Sequence, residues 1–301
     1  MQDMDGTPPL SSYADLGDGI RLHYLQQGTG TPIVFVHGFP EFSGAWLPQL
    51  AEFGRDHRAI APDLRGYNLS SKPAGVERYR VDELAEDLRR FIVQVAGGRC
   101  ALVAHDWGGI CVWHLAARHP EVLTKLVILN SPHLALLYRE LLRSDAQREA
   151  MCYTLLFRSA RAEGLLSEND HARLAAMFES WEIGGEPLAP ELVAAYRRAW
   201  SQPGALTTML NYYRASRLHP DGPADPGVGG WPDAPLHEWI VRVPTRVIWG
   251  EQDRALLPGL LDRLDEFVPG VEIRRLPTGT HWIAHEFPHE VNRLIREFVD
   301  G

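Results

Sequence analysis

The sequence predicts an α/β protein, with a mostly parallel sheet flanked by helices and a helical cap inserted between two strands of that sheet. Up to Leu129, short apolar segments alternate with amphipathic ones, which is the pattern of βαβ units. About a hundred residues of helical pattern follow before an apolar strand returns at Thr245. We therefore divide the chain into a core of residues 1–132 and 240–301 and a cap of residues 133–239.

The first predicted element is a hairpin, because Tyr13–Gln27 alternates around the turn residues Gly17-Asp18-Gly19. Each later strand is a short apolar run that ends at polar or turn residues, and each helix has apolar residues at helical spacing. The predicted strands are Ile33–Val36, Arg58–Ala61, Ala101–Ala104, Leu126–Leu129, Thr245–Trp249 and Val271–Arg275. The predicted helices are Val81–Val95, Ile110–Arg118, Ala135–Glu140, Ala146–Ala160, His171–Trp181, Pro190–Trp200 and Pro288–Val299, and Pro220–Pro235 is a Pro- and Gly-rich return linker.

Composition excludes several classes of partner. The chain has 301 residues, 45% of them apolar, and a net charge of −9, which argues against nucleic acid and anionic membranes. No run of about 18 apolar residues is present to span a bilayer. The segment Met1–Leu10 carries two Asp residues and no apolar centre, so it does not have the pattern of a signal peptide.

The cysteines and the basic residues indicate a compartment and a source. Cys100, Cys111 and Cys152 are odd in number and lie in apolar surroundings, which favours buried thiols over a disulfide pair. We therefore expect a cytoplasmic protein. Lys72 and Lys125 are the only lysines, and this bias towards Arg is typical of a bacterial genome rich in G and C.

The segment Ala104-His105-Asp106-Trp107-Gly108 carries the strongest chemical signal. It joins an apolar strand to an amphipathic helix and has the form small-x-nucleophile-x-small, which is typical of a nucleophile elbow. Its apex is Asp106, so we expect a carboxylate that attacks a saturated carbon and leaves an ester. The alternative is an ordinary helix N-cap, a common role of Asp.

An ester on a buried Asp is stable unless water is activated, so the elbow predicts a His with an orienting acid later in the chain. Asp253 follows the strand Thr245–Trp249, and His281 follows the last strand in the same way. Catalytic groups of parallel sheets collect at that edge. Glu251 is the alternative acid.

Two further predictions concern backbone donors and histidines. The N–H groups of Trp107 and Phe39 are expected to form an oxyanion hole, whereas Pro40 has no N–H to donate. His281 and His285 have the i, i+4 spacing of a metal pair but lack the His-Glu-x-x-His arrangement, so we expect neither a metal nor a cofactor. His37 and His105 are expected to orient the backbone or the elbow.

Seven segments resemble those of the α/β-hydrolase-fold epoxide hydrolases, in the order of that family. The resemblance implies an α/β-hydrolase fold, nucleophile Asp106, acid Asp253, base His281, and conversion of an epoxide to a vicinal diol with water as the second substrate. The segments are HGFPE (37–41), DLRGYNLSSKP (63–73), HDWGG (105–109), LNSPH (129–133), LNYYR (210–214), WGEQD (249–253) and GTHW (279–282).

The resemblance also implies two cap tyrosines that bind and protonate the epoxide oxygen. Tyr213 matches the one in LNYYR. The other aligns with Leu156 or nearby, and Tyr153, about one helical turn earlier, is the candidate to replace it. We expect substrate contacts from four residues beside these motifs, which are His37, Pro40, Trp107 and Trp282.

Two other functions stay open. Haloalkane dehalogenases also have an elbow Asp followed by Trp, but they often place a halide-binding Asn where this chain has Phe39. A binding protein that has lost activity is the second alternative. The sequence does not decide between a monomer and a homodimer, and cap aromatics suggest an apolar or aromatic epoxide, namely Phe178, Trp181, Tyr196 and Trp200.

Overall fold

The protein is described by a computed structural model over residues 8–179, 188–222 and 236–301. The described strands form one sheet in the order β1-β2-β4-β3-β5-β6-β7-β8, where β1 and β2 are antiparallel and β3 to β8 run parallel to one another. The predicted fold class is confirmed. The strands are β1 (Leu10–Gly17), β2 (Ile20–Gln27), β3 (Pro32–Val36), β4 (Arg58–Pro62), β5 (Cys100–His105), β6 (Leu123–Leu129), β7 (Thr245–Gly250) and β8 (Glu272–Leu276).

Helices cover both faces of the sheet. Apolar residues of α2 and α3 pack on one face, and those of α1 and α11 pack on the other. The core helices are α1 (Leu47–Phe53), α2 (Val81–Val95), α3 (Asp106–Arg118), α10 (Ile283–Glu286) and α11 (Pro288–Val299). Between β6 and β7 lie α4 (Leu134–Arg143), α5 (Asp145–Ala150), α6 (Tyr153–Arg158), α7 (Ala162–Glu179), α8 (Pro190–Trp200) and α9 (Ala205–Arg214).

One predicted helix is divided in two. Ala146–Ala160 was expected to be continuous, but α5 ends at Ala150 and α6 begins at Tyr153. The turn between them leaves Cys152 exposed, so the expectation that all three thiols are buried is wrong for this residue. Cys100 and Cys111 are buried, and none of the three forms a disulfide.

Three predictions fall partly or wholly outside the described residues. The first is that residues 1–10 do not have the pattern of a signal peptide. The others concern the return linker, of which residues 223–235 are not described, and the cap residue Trp181. Within the described part of the chain, no helix is long and apolar enough to cross a membrane.

Buried hydrogen bonds join the inserted helices to the core. The Trp200 indole N–H donates to the Pro40 carbonyl at 2.6 Å, and the Tyr212 hydroxyl donates to the Arg65 carbonyl at 2.7 Å. The Thr208 hydroxyl donates to the next carbonyl of that core loop. These contacts fix α8 and α9 over the carboxyl ends of the parallel strands.

Candidate active site

The turn between β5 and α3 holds Asp106 in a strained conformation. Its φ is +48°, a left-handed value that Asp tolerates better than most residues. A Cβ atom on Gly38 would lie 2.4 Å from the Asp106 Cβ, and one on Gly108 would lie 2.4 Å from the His37 carbonyl oxygen. Glycine is therefore required at both positions, because the elbow passes directly against the loop after β3.

The Asp106 carboxylate is positioned through one oxygen. The Phe39 N–H donates to Oδ1 at 2.7 Å, and the Ser131 hydroxyl donates to the Asp106 main-chain carbonyl at 2.7 Å. The other predicted donor, the Trp107 N–H, belongs to the next residue, in the first turn of α3. Oδ1 is thus bound by one predicted oxyanion donor, while Oδ2 faces the predicted base.

His281 lies between two carboxylates. Its Nδ1 is 2.7 Å from Asp253 Oδ2, and its Nε2 is 3.6 Å from Asp106 Oδ2. The Asn130 amide also donates to Asp253 Oδ2, at 2.8 Å. The alternative acid, Glu251, forms an ion pair with Arg275 instead.

The charges around His281 favour its protonated form. Burial alone would lower its pKa, but the charge and hydrogen bond of Asp253 and the charge of Asp106 raise the pKa to about 9. Burial would raise the pKa of Asp253, and His281 with its other hydrogen-bond donors holds that pKa below its usual value. The resting site therefore contains an imidazolium between two carboxylates.

This arrangement predicts a pH-dependent stability. The pKa of His281 is raised from 6.5 to about 9, so its stabilising contribution is fully present below pH 6.5 and is lost as the pH rises through 9. We expect the free energy of unfolding to fall over this interval by up to about 3 kcal/mol more in the wild type than in His281→Gln. Urea denaturation of both proteins at pH 6.5 and above pH 9 measures this loss of stability. Equal losses in the wild type and in His281→Gln would contradict the raised pKa of His281.

Two cap tyrosines line a small cavity above Asp106. Tyr153 and Tyr213 share this cavity, of about 30 Å³, with Asp106 and Trp107. Burial first, and then nearby charges that include Asp106, raise the pKa of both phenols above the ordinary value. Both therefore remain protonated donors. Leu156, where the second tyrosine was aligned, is 38% exposed.

Aromatic rings hold Tyr213 in place. Its ring meets those of Phe39 and Trp107 edge-on, each at 5.1 Å between centroids, and Phe157 lies at 5.0 Å. Phe157 contacts Tyr153 as well, at 5.3 Å, so it stands between the two phenols.

Of the four expected substrate contacts, only Trp107 lines this cavity. The His37 ring accepts a hydrogen bond from the Leu64 N–H, and Pro40 accepts one from Trp200, so both support the loop after β3. Trp282 is buried between His281 and Phe178, with its indole N–H donating to a carbonyl of α7. These three residues therefore contact the segments around the site and do not line the cavity itself.

A buried carboxylate beside the site was not predicted from the sequence. Glu41 accepts hydrogen bonds from His105 at 3.1 Å, His285 at 2.6 Å and the Tyr196 hydroxyl at 3.0 Å. Burial alone would raise the pKa of Glu41, but the two histidines hold it far below the usual range. His105 also contacts the His281 carbonyl at 2.9 Å. The network therefore connects α8 to the segment that carries the predicted base His281, and His285 contacts Glu41 within it.

Comparison with known proteins agrees with this geometry. The model of the α/β hydrolase fold matches residues 31–288. The AB hydrolase superfamily protein YfhM of Bacillus subtilis is 37% identical over 94% of this chain and 95% of its own length.

Several similar proteins bear the name epoxide hydrolase. Epoxide hydrolase 4 of Mus musculus is 34% identical over 93% of this chain and 77% of its own length. The crystal structure of a Bacillus megaterium epoxide hydrolase in complex with an inhibitor is 34% identical, with a TM-score of 0.87 over 96% of this chain and all of that one. The chain belongs to the epoxide hydrolases of the α/β hydrolase fold.

Proposed function

We propose that the protein hydrolyses an epoxide to a vicinal diol through a covalent ester on Asp106. One observation carries the proposal. A single small cavity contains the Asp106 carboxylate, positioned by the Phe39 N–H and facing His281, together with two protonated cap phenols. A carboxylate nucleophile and a donor for the opposite atom are what ring opening requires.

In the first step Asp106 Oδ2 attacks a ring carbon, and the bond from that carbon to the epoxide oxygen breaks. Tyr213 and Tyr153 hydrogen-bond to the oxygen, and one of the two phenols transfers its proton to it. The phenol then regains a proton from the imidazolium of His281. This step leaves a neutral ester, a new hydroxyl group and a neutral imidazole.

The second step uses the base created by the first. Esterification removes the charge of Asp106, one of the causes that raise the pKa of His281, so the neutral imidazole is favoured. Water loses a proton to His281 and adds to Cγ of Asp106, and the Phe39 and Trp107 N–H groups stabilise the oxyanion. Collapse releases the diol and restores the carboxylate and the imidazolium, so protons balance over the cycle.

A single turnover in ¹⁸O-labelled water tests this route. The first diol is expected to carry unlabelled oxygen from Asp106, and label is expected in Asp106 after hydrolysis, as read by peptide mass spectrometry. Label in the first diol would show direct attack by water and would overturn the covalent route.

The two phenols are expected to share the donor role. Each single variant, Tyr213→Phe or Tyr153→Phe, should lower the rate of ester formation about 10-fold to 100-fold, and the double variant should abolish it, because no donor then remains. Stopped-flow Trp fluorescence measures this rate. Tyr138→Phe, on α4, is the matched control, and full activity in the double variant would contradict the assignment.

The alternatives give different products. A haloalkane dehalogenase would release halide from a haloalkane panel, and a binding protein would stay unmodified after exposure to every epoxide and haloalkane. The two phenols beside Asp106 support the epoxide route, because each offers a proton to an oxygen that becomes negative when the ring opens.

We also propose that the enzyme is cytoplasmic and that its substrate is an apolar or aromatic epoxide. The apolar lining of the cavity, with Ile110, Leu137 and Leu256 around the two phenols, supports this substrate class. Light scattering of the purified protein distinguishes a monomer from a homodimer.

A further inference from the structure

A second, larger cavity adjoins the one above Asp106. It has a volume of about 450 Å³, against about 30 Å³ for the cavity at the nucleophile, and the two share Trp107, Ile110 and Leu218 as lining residues. The smaller space holds a few atoms at most, whereas the larger one is in the usual range for ligand pockets. Any substrate larger than the epoxide ring itself therefore needs the second cavity.

The second cavity runs along one face of α3. Trp107, Ile110, His114 and Arg118 all line it, and their spacing of three, four and four residues places them in one row. At 1.5 Å per residue this row is about 16 Å long. The opposite walls come from residues 79–82 and 215–218. The cavity is thus an elongated channel along α3 that begins at Trp107, the residue after Asp106.

The chemistry of the channel changes along its length. Near the nucleophile it is apolar and buried, and at the far end Arg118 and Asp82 are exposed. Arg118 forms an ion pair with Glu238, and Asp82 lies 3.6 Å from the Arg80 guanidinium. Arg118 and Asp82 at the far end are therefore each next to a side chain of opposite charge.

His114 lies between the apolar and the charged ends. Among the described residues, neither of its ring nitrogens has a hydrogen-bond partner; Nδ1 is fully buried, so Nε2 is the nitrogen that a ligand in the channel can reach. Burial, with a smaller effect of Arg118, lowers the pKa of His114 to about 4. The ring is therefore neutral at pH 7, with one donor and one acceptor nitrogen.

We propose that this channel, given the proposed function, receives the part of the substrate beyond the epoxide ring. The preferred substrates are terminal epoxides on a long apolar chain that carries an uncharged hydrogen-bonding group, such as a hydroxyl, at the depth of His114. Seven residues separate His114 from Trp107, so this depth is about 10 Å along the helix. A hydroxyl at that depth gives the accessible Nε2 of His114 a hydrogen-bond partner, while the chain fills the apolar part of the channel.

Substitutions by Phe that fill the channel test whether the substrate chain binds in it. Ala215 lines the second cavity and not the first. Ala215→Phe is expected to lower kcat/KM for epoxydecane at least about tenfold, because the chain loses its apolar site, and to leave propylene oxide within about twofold. Val81→Phe, on the opposite wall, is the second variant, and Ala74→Phe at an exposed position is the control. An equal effect on both substrates in both variants would overturn the proposal.

Removing the imidazole tests the polar group. The wild type is expected to prefer epoxydecanol, with its terminal hydroxyl, over epoxydecane by about three- to tenfold in kcat/KM, the effect of one hydrogen bond between neutral groups. His114→Leu is expected to remove that preference and retain activity on propylene oxide. A stronger preference for epoxydecanoic acid would assign the selection to the arginines of the far end and overturn the choice of an uncharged group.

A binding measurement separates this proposal from the proposed function. Calorimetry with the unreactive diols of the same two chains requires no turnover. We expect the hydroxyl-ended product to bind the wild type about three- to tenfold more tightly, and both products to bind His114→Leu equally. Failure of every epoxide to react would refute the proposed function alone. Equal binding of the two diols to the wild type would refute only the proposal that His114 selects a hydroxyl in the channel.

Discussion

Replacing Asp106 by Asn is expected to reduce kcat by about 10⁴-fold or more, because the amide has no anionic oxygen to attack the ring carbon. The fold should be retained. Asn tolerates the left-handed φ of +48°, and its carbonyl oxygen is able to accept the Phe39 N–H in place of Oδ1. Diol formation by the purified variant is the measurement, with circular dichroism to verify folding.

Two controls accompany this variant. Asp265→Asn changes an exposed carboxylate far from the elbow and should leave kcat within about twofold, as is usual for surface substitutions. The intact mass of the Asp106→Asn protein detects deamidation back to Asp. Substantial turnover by protein that still carries Asn at 106 would show that the carboxylate is not the nucleophile.

Replacing His281 by Gln is expected to stop the cycle at the ester. Asp106 needs no base to react, but water needs one to attack Cγ, so ester formation continues while hydrolysis slows by about 10³-fold or more. The protein should gain the mass of one substrate molecule. Mass spectrometry of the intact chain measures the adduct, and peptide mapping is expected to locate it on Asp106.

The double variant Asp106→Asn with His281→Gln should form no adduct, which distinguishes an ester at the elbow from modification elsewhere. His289→Gln, at an exposed position on α11, is the matched control and should turn over normally. Rapid diol release by His281→Gln without an adduct would refute the role of His281.

The positions of Asp106, Asp253 and His281 follow from sequence because each comes directly after a parallel strand. The carboxyl ends of such strands meet at one edge of the sheet, so chain order is enough to bring the three together. The position of Phe39 and Pro40 at the same edge is predictable for a similar reason, because the loop that contains them follows β3. The strand patterns in the sequence and the topology of a parallel sheet are therefore enough to predict which residues form most of the site.

Other features depend on contacts between distant segments, which one sequence does not contain. Trp282 follows the predicted base His281 in the chain, yet it packs against Phe178 of α7. Glu41 reads as a surface residue until Tyr196 and two histidines surround it. The long channel has walls from three separate stretches, and the turn before Tyr153 interrupts a segment with a continuous helical pattern.

The buried hydrogen bonds between cap and core constrain how substrate and product exchange. Lifting α8 and α9 as a rigid lid would break the bonds from Trp200, Tyr212 and Tyr196 and expose the aromatic rings around Tyr213. Each large apolar side chain exposed costs about 1.5–3 kcal/mol, so an open form of this kind would be populated by less than about one molecule in a thousand. We therefore expect ligands to pass by local rotation of side chains, and we expect the inserted helices and the sheet to unfold together in a single cooperative transition.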